Sequence, residues 1–133
     1  MAEVSVAIVG SRTFSDYALV VKIIDRLITQ SGGDLVIVSG GASGADSIAE
    51  DAAHMRLVPV TVILPDWNKF GKSAGFRRNK EIIASADRVI ALFGDGPRSK
   101  GTQHSVNLAI AAGKLVHIYH EGRWESIPAR KEV

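Results

Sequence analysis

A chain of 133 residues with 46% hydrophobic content is the size of one domain, long enough to bury roughly two-thirds of its unfolded surface around a single core. It contains no cysteine, which excludes a disulfide framework, zinc–thiolate sites and thiol catalysis, and no apolar run approaches the roughly 20 residues of a membrane span. Net charge is only +2 but unevenly spread: residues 1–68 carry four basic against eight acidic side chains, residues 69–100 eight against three.

Val4 to Val9 is a nearly unbroken apolar run rich in β-branched residues, which reads as a strand covered on both faces of a parallel sheet. Gly10 to Phe14 forms a loop, Ser15 or Asp16 offers a cap, and Val20, Ile23, Ile24, Leu27 and Ile28 mark a helix that stops at Gly32-Gly33. Leu35 to Val38 is a second strand, followed by the glycine-rich turn Ser39-Gly40-Gly41-Ala42-Ser43-Gly44. A second helix follows, with Ala45, Ile48, Ala49, Ala52 and Ala53 on one face. Val60 to Leu64 is the third strand, ended by Pro65. Residues 65–73 read as a long loop, with Ser73 capping a helix through Phe76, Asn79, Ile82, Ile83 and Ala86. Arg88 to Phe93 is strand four, and Gly94 to Gly101 a loop. A fourth helix bears Val106, Ala109 and Ile110, and Leu115 to Tyr119 is strand five after Gly113.

Five strands alternating with four helices specify a doubly wound parallel sheet of about five strands, because parallel neighbours need right-handed helical crossovers. The expectation is a single three-layer α/β domain over residues 1–120 in strand order 3-2-1-4-5. A short polar tail, 121–133, is expected to fray, with Trp124 its one candidate for docking. In such sheets ligands bind beyond the carboxyl ends of the strands, where strand order reverses. Three polar, glycine-bearing turns fall on that edge: Gly10-Ser11-Arg12, Ser39 to Gly44, and Gly94 to Thr102. The cations Arg12, Lys69, Lys72, Arg77, Arg78, Arg98 and Lys100 also follow strands there, so an anion site is expected on this rim.

The expected roles follow from chemistry. Gly40, Gly41 and Gly44 let a ligand touch main chain, although glycines also serve plain helix–strand packing. Asp46, in the first helical turn, suits either a cap or a ribose contact. Arg12 and Arg78 are the best phosphate ligands, because a guanidinium grips two oxygens at once. Asn79 holds a neighbouring loop or touches ligand. Ser99, Gly101 and Thr102 offer amides and a hydroxyl at a helix start, and Lys100 adds charge. Trp67 and Phe70 are placed either to stack on a base or to pack. The four histidines show neither metal-ligand spacing nor carboxylate partners, so no metal site is expected.

Ala7-Ile8-Val9-Gly10-Ser11-Arg12, Ser39 to Asp46, Arg78-Asn79 and Ser99-Lys100-Gly101-Thr102 stand in the order seen in the SLOG superfamily, which the chain resembles from about residue 4 to 119. That superfamily includes Smf/DprA-type DNA-processing proteins, LOG-type phosphoribohydrolases and small stand-alone YspA-like domains. The stand-alone branch is the most similar in Ser39–Asp46 and in the pattern Trp67, Gly71, Ala74-Gly75, Arg78-Asn79. The resemblance implies a Rossmann-like fold that binds nucleotides, nucleotide-derived metabolites or nucleic acid. It implies no cofactor, and it implies that subunits pair as homodimers or higher homo-oligomers.

LOG-type enzymes carry a catalytic glutamate three residues after the Gly-Thr of their fourth-strand motif. Here Gly101-Thr102 is followed at that place by Ser105, and a hydroxyl cannot stabilise an oxocarbenium ion as a carboxylate does. Asp46 and Glu50 could substitute only if the second helix presents them to the site. No catalytic residue is assigned, and enzymatic activity stays open while the balance falls toward a sensor or binding module for a nucleotide-like small molecule. Two alternatives stand beside it: an N-glycosidase acting on nucleoside monophosphates, and single-stranded nucleic-acid binding of the Smf/DprA type. A nicotinamide oxidoreductase fits poorly, because strand two ends in Ser39 rather than an acid. The start, Met1-Ala2-Glu3-Val4, lacks the features of a signal peptide, so a soluble cytoplasmic protein without membrane contact is expected.

Overall fold

The computed structural model describes residues 3–130; Met1, Ala2 and residues 131–133, the extremes of the expected domain and tail, lie outside the described residues. Strands β1 (Val4–Gly10), β2 (Leu35–Ser39), β3 (Val60–Val62), β4 (Arg88–Leu92), β5 (Leu115–His120) and β6 (Arg123–Ile127) form one sheet in the order β3-β2-β1-β4-β5-β6. The first five are parallel, in the order the sequence implies, and β6 is antiparallel to β5. Helices α1 (Tyr17–Ser31), α2 (Ala45–Met55), α4 (Ala74–Ser85) and α5 (Lys100–Ala111) are the four crossovers, and α3 (Trp67–Phe70) is a single turn.

The crossovers explain the layers. From β1 through β2 to β3 the chain steps one way along the sheet, so right-handed connections put α1 and α2 on one face; from β3 to β4 and β5 it steps back, putting α4 and α5 on the other. Alternation along β1 feeds both cores. Val6 and Ile8 pack with Val20, Ile24, Ala49 and Ala53, whereas Ala7 and Val9 pack with Ile82, Ile83, Val106 and Ala109. All four β1 residues are buried, as a strand read as covered on both faces requires.

Local chemistry sets the ends. Asp16 caps α1 by accepting from the Leu19 amide at 3.1 Å, and Gly32 closes it in the left-handed region at φ 69°. The Lys114 ammonium, reaching back from the turn after α5, donates to the carbonyls of Ile83 and Ala86 at the carboxyl end of α4.

Three expectations need correction. Residues 123–127 of the expected tail form a strand instead of fraying: β6 pairs with β5 from His120↔Arg123 to Val116↔Ile127, and Trp124 leans on Tyr119 at 5.1 Å between ring centroids. The long loop 65–73 is helical, with Asp66 capping α3 through the Lys69 amide at 3.0 Å and a 3-10 turn over Gly71–Ser73. Ser73 precedes α4 without capping it; its hydroxyl donates to the Phe70 carbonyl and accepts from Arg77 Nε.

Candidate functional site

Strand order reverses between β1 and β4, and a cleft of about 370 Å³ opens there. Its walls come from the turn after β1, the first turn of α2, one face of α4 and the start of α5. Gly10, Ser11, Arg12, Asp46, Arg78, Asn79, Ser99, Gly101 and Thr102 all line it, so residues up to 92 positions apart in sequence meet as the topology demands. Close approach of β1 to its neighbours makes this possible. A Cβ on Gly10 would collide with the Leu92 carbonyl, and one on Gly44 with the carbonyls of Ser11 and Arg12; Gly44 also holds φ 78°.

The remaining predicted residues stand behind this wall. Ser39 is fully buried; its hydroxyl donates to Glu50 at 2.7 Å and accepts from the Gly41 amide at 3.3 Å, which fixes the glycine-rich turn. The Gly40 carbonyl accepts from Arg78 Nη1 at 2.6 Å. Gly41 faces Val62 and Leu64. Three turn amides expected to meet a ligand are spent internally: Gly41 on Ser39, Ala42 on Asp46 and Ala45 on the Ser11 carbonyl. Glycines here serve packing first, and main chain becomes available at α5 instead. Ser99 does not cap α5 with its side chain but bonds the Thr102 hydroxyl at 2.9 Å and the Ser11 hydroxyl at 3.3 Å. Uncapped first-turn amides and the positive end of the helix dipole thus sit beside Gly101 and Thr102 in the cleft wall.

Of the seven cations expected on this rim, two line the cleft itself. Arg12, exposed, and Arg78, half-buried, line the cleft. Arg77 stacks on Phe70 at 4.3 Å with Lys69 beside the same ring at 5.1 Å, and Arg98 lies over Phe93 at 4.9 Å. Lys72 and Lys100 are exposed outside the cleft. Trp67 and Phe70 do not line it either.

Asp46 is the unusual member. It is 5% exposed; its Oδ2 accepts from the Ala42 amide at 3.2 Å, while its Oδ1 is buried without a partner among the described residues. Burial raises its carboxyl from the ordinary 3.8 to about 6, against the lowering pull of the Ala42 amide and the Arg78 guanidinium. Burial likewise lowers the Arg78 pKa, with the Asp46 charge opposing. Arg78 is steered by its Nε donation to Asn79 Oδ1 at 3.0 Å, and Asn79 Nδ2 reaches the Gly101 carbonyl at 3.4 Å and His104 Nδ1 at 3.3 Å. Asn79 therefore ties α4 to α5 as well as lining the cleft.

Reading the sequence missed Val9, Thr13, Ala42, Ile82 and Ser105 as lining residues. Ile82 and Ser105 were within reach, since helical spacing of three and four from Arg78-Asn79 and Gly101-Thr102 puts them on the same faces. The Ser105 hydroxyl donates to the Gly101 carbonyl at 3.4 Å. Ser11, Ser39, Asp46, Asn79, Thr102 and Ser105 are the buried polar side chains among the described residues; five line the cleft and Ser39 braces its edge. No group of three or more potential metal ligands occurs among the described residues, and no helix among them is long and apolar enough to cross a membrane.

Known proteins are similar to this chain in sequence or fold. The Gene 61 protein of Mycobacterium phage D29 is 36% identical over 113 residues, covering 81% of this chain and 90% of that protein. DNA processing protein A from Helicobacter pylori, described with a single-stranded DNA binding mode, superposes with a TM-score of 0.68 at 25% identity over 86% of this chain. The same protein from Streptococcus pneumoniae gives 0.66 at 21% identity over 87% of this chain. The chain spans 64% and 50% of the lengths of those two structures. Residues 4–70, from β1 through the glycine-rich turn and α3, match the model of a single family, and with that match the chain belongs to the YspA, cpYpsA-related SLOG family.

Proposed function

We propose that the chain binds a nucleotide or nucleotide-derived phosphorylated ligand in the β1/β4 cleft, as a sensor or binding module. The observation that carries this reading is the concentration of buried polar side chains around one cleft that also holds two guanidinium groups and an uncapped helix start. A buried polar group without a partner costs about 1–3 kcal/mol, and Asp46 Oδ1 in this cleft is such a group among the described residues, which supports a ligand donor there. In this reading the phosphate lies at the start of α5, against Ser99, Gly101 and Thr102, with Arg12 closing over it. Asp46 Oδ1 accepts a hydroxyl from the sugar, and Arg78 holds the Gly40 turn and adds charge behind it.

Binding without glycosidic cleavage is favoured because Glu50, four residues on from Asp46 in α2, is engaged by Ser39, and Ser105 donates to main chain. Calorimetric titration with adenosine monophosphate and ADP-ribose, on the native chain and on Arg12→Ala, tests the proposal. Saturable binding weakened at least tenfold in the variant is expected; no heat from either compound would sink it. Free base released from nucleoside monophosphates would move the reading to an N-glycosidase.

A second reading, single-stranded nucleic-acid binding, draws on the Helicobacter pylori neighbour. It requires affinity that grows with oligonucleotide length and falls steeply with salt, whereas a compact cleft holding one nucleotide shows neither. Pairing of subunits is part of the same proposal, and sedimentation equilibrium reads it directly.

A further inference from the structure

The sheet is covered unevenly. On the α1/α2 side the crossovers step from β1 toward β3, and after β5 the chain turns straight back as β6 instead of crossing over. No helix therefore caps the β5–β6 region of this face, and a groove of about 540 Å³ lies there between α1 and the strands. It shares no lining residue with the β1/β4 cleft and is centred on Arg88, the first residue of β4, near the opposite end of the strands.

Its chemistry is one-sided. Arg88, Arg26 and His117 line it, and among the described residues no carboxylate does. Arg88 is half-buried; its Nη2 donates to Gln30 Oε1 at 2.7 Å, and its Nε is buried with no acceptor among the described residues. A half-buried guanidinium with no carboxylate partner among the described residues is partly desolvated, a cost that an anion beside it would offset. Burial lowers the Arg88 pKa, and burial followed by the Arg88 charge lowers that of His117, whose Nδ1 meets Ser126 Oγ at 2.8 Å. The remaining wall is apolar: Ile90 and Leu115 form the floor, and Trp124, 48% exposed, stands at the side with its ring held against Tyr119.

We propose that this groove is a second ligand site, taking a small aromatic carboxylate whose anionic group meets Arg88 and Arg26 while its ring lies against Trp124. A flat apolar body suits the Ile90, Leu115 and Trp124 surfaces, and a single carboxylate matches a guanidinium fork. The site is independent of the nucleotide reading, since the two sets of lining residues are disjoint.

The chain has two tryptophans, so Trp67→Phe leaves Trp124 as the only indole reporter. In that background, titration with 4-nitrobenzoate, corrected for absorption, is expected to quench Trp124 saturably. The uncharged 4-nitrobenzyl alcohol is expected to bind at least tenfold more weakly, and adenosine monophosphate to leave the 4-nitrobenzoate curve unmoved. Arg88→Gln and, because Arg88 is half-buried, the exposed Arg26→Gln are each expected to weaken 4-nitrobenzoate at least fivefold with Tm recorded alongside. Quenching that stays linear with concentration, equal response to the neutral alcohol, or unchanged affinity in Arg26→Gln overturns the proposal. Trp124 emission that shifts with protein concentration as a dimer forms, without response to 4-nitrobenzoate, also overturns it and assigns the groove to a second copy of the chain.

Discussion

Replacing Asp46 with asparagine separates the cost of the cleft from its use. The Asp46 carboxyl sits at about 6 in the folded protein against an ordinary 3.8, so the folded state holds this proton more tightly than the unfolded chain does. Stability is therefore full below about pH 4 and declines as pH rises through 4 to 6. At ~1.4 kcal/mol per pH unit the deprotonated carboxylate costs about 3 kcal/mol at neutral pH. Asparagine removes the titration while its amide oxygen can keep the Ala42 hydrogen bond; its amide nitrogen, left unpaired in place of Oδ1, returns about 1 kcal/mol of that gain. The variant should thus lie below the native chain at pH 4, by up to about 1 kcal/mol, and exceed it by about 2 kcal/mol at pH 7, or roughly 6 °C in Tm for a domain of this size. Urea unfolding of both proteins at half-unit intervals from pH 4 to 8 measures this, and the four histidines cancel in the difference between them. Parallel curves across pH 4 to 6, or a variant weaker at pH 7, would refute the reasoning. The same variant should bind the proposed nucleotide ligand at least tenfold more weakly, because a sugar hydroxyl that donates to Oδ1 now meets a donor.

Gly44→Ala should cost at least ~2 kcal/mol in urea melts, because the new methyl meets the Ser11 and Arg12 carbonyls at φ 78°; an unchanged midpoint would mean the turn is not held there. Lys114→Met should cost ~1–2 kcal/mol and speed hydrogen exchange in the last turn of α4, where the ammonium satisfies the Ile83 and Ala86 carbonyls. Ending the chain after Glu121 removes β6 and the Ile127 contact with the α4/α5 core, and should lower stability by about 2 kcal/mol; an unaltered Tm would return this segment to the status of a dispensable tail.

What could be read from the sequence was what local pattern encodes. β1 and β2 announce themselves because both faces are buried along most of their length, so nearly every position is apolar, and a parallel sheet then dictates the crossovers and the reversal point. β6 carries no such signal. Arg123, Trp124 and Glu125 are exposed, and the strand exists because β5 offers an unpaired edge after a tight turn through Glu121 and Gly122, both at positive φ. Only Arg12 and Arg78 of the seven cations line the cleft for a related reason: strand order assigns them to one rim, but Phe70 and Phe93 supply local aromatic faces for Arg77, Lys69 and Arg98. Position along a sheet edge is inherited from topology, whereas side-chain direction is settled by the nearest neighbour.

The same distinction separates the glycines from the polar residues of the cleft. Gly10 and Gly44 are explained without any ligand, because β1, β4 and the start of α2 approach too closely for a Cβ, and the amides of Gly41, Ala42 and Ala45 already have acceptors. Backbone needs are thus met by the fold itself. Asp46 Oδ1 is not explained in this way: the hydroxyls and amides nearby pair with one another, from Ser11 through Ser99 to Thr102 and from Arg78 through Asn79 to Gly101, and this oxygen is left outside both chains. Packing an alanine there would remove the cost of the unpaired oxygen, so a carboxylate placed at a site that destabilises the fold argues for a donor that arrives from outside. The strongest functional signal is therefore Asp46 Oδ1, the buried side-chain atom of the cleft left without a partner among the described residues, and the glycine loop that first draws the eye is scaffolding around it.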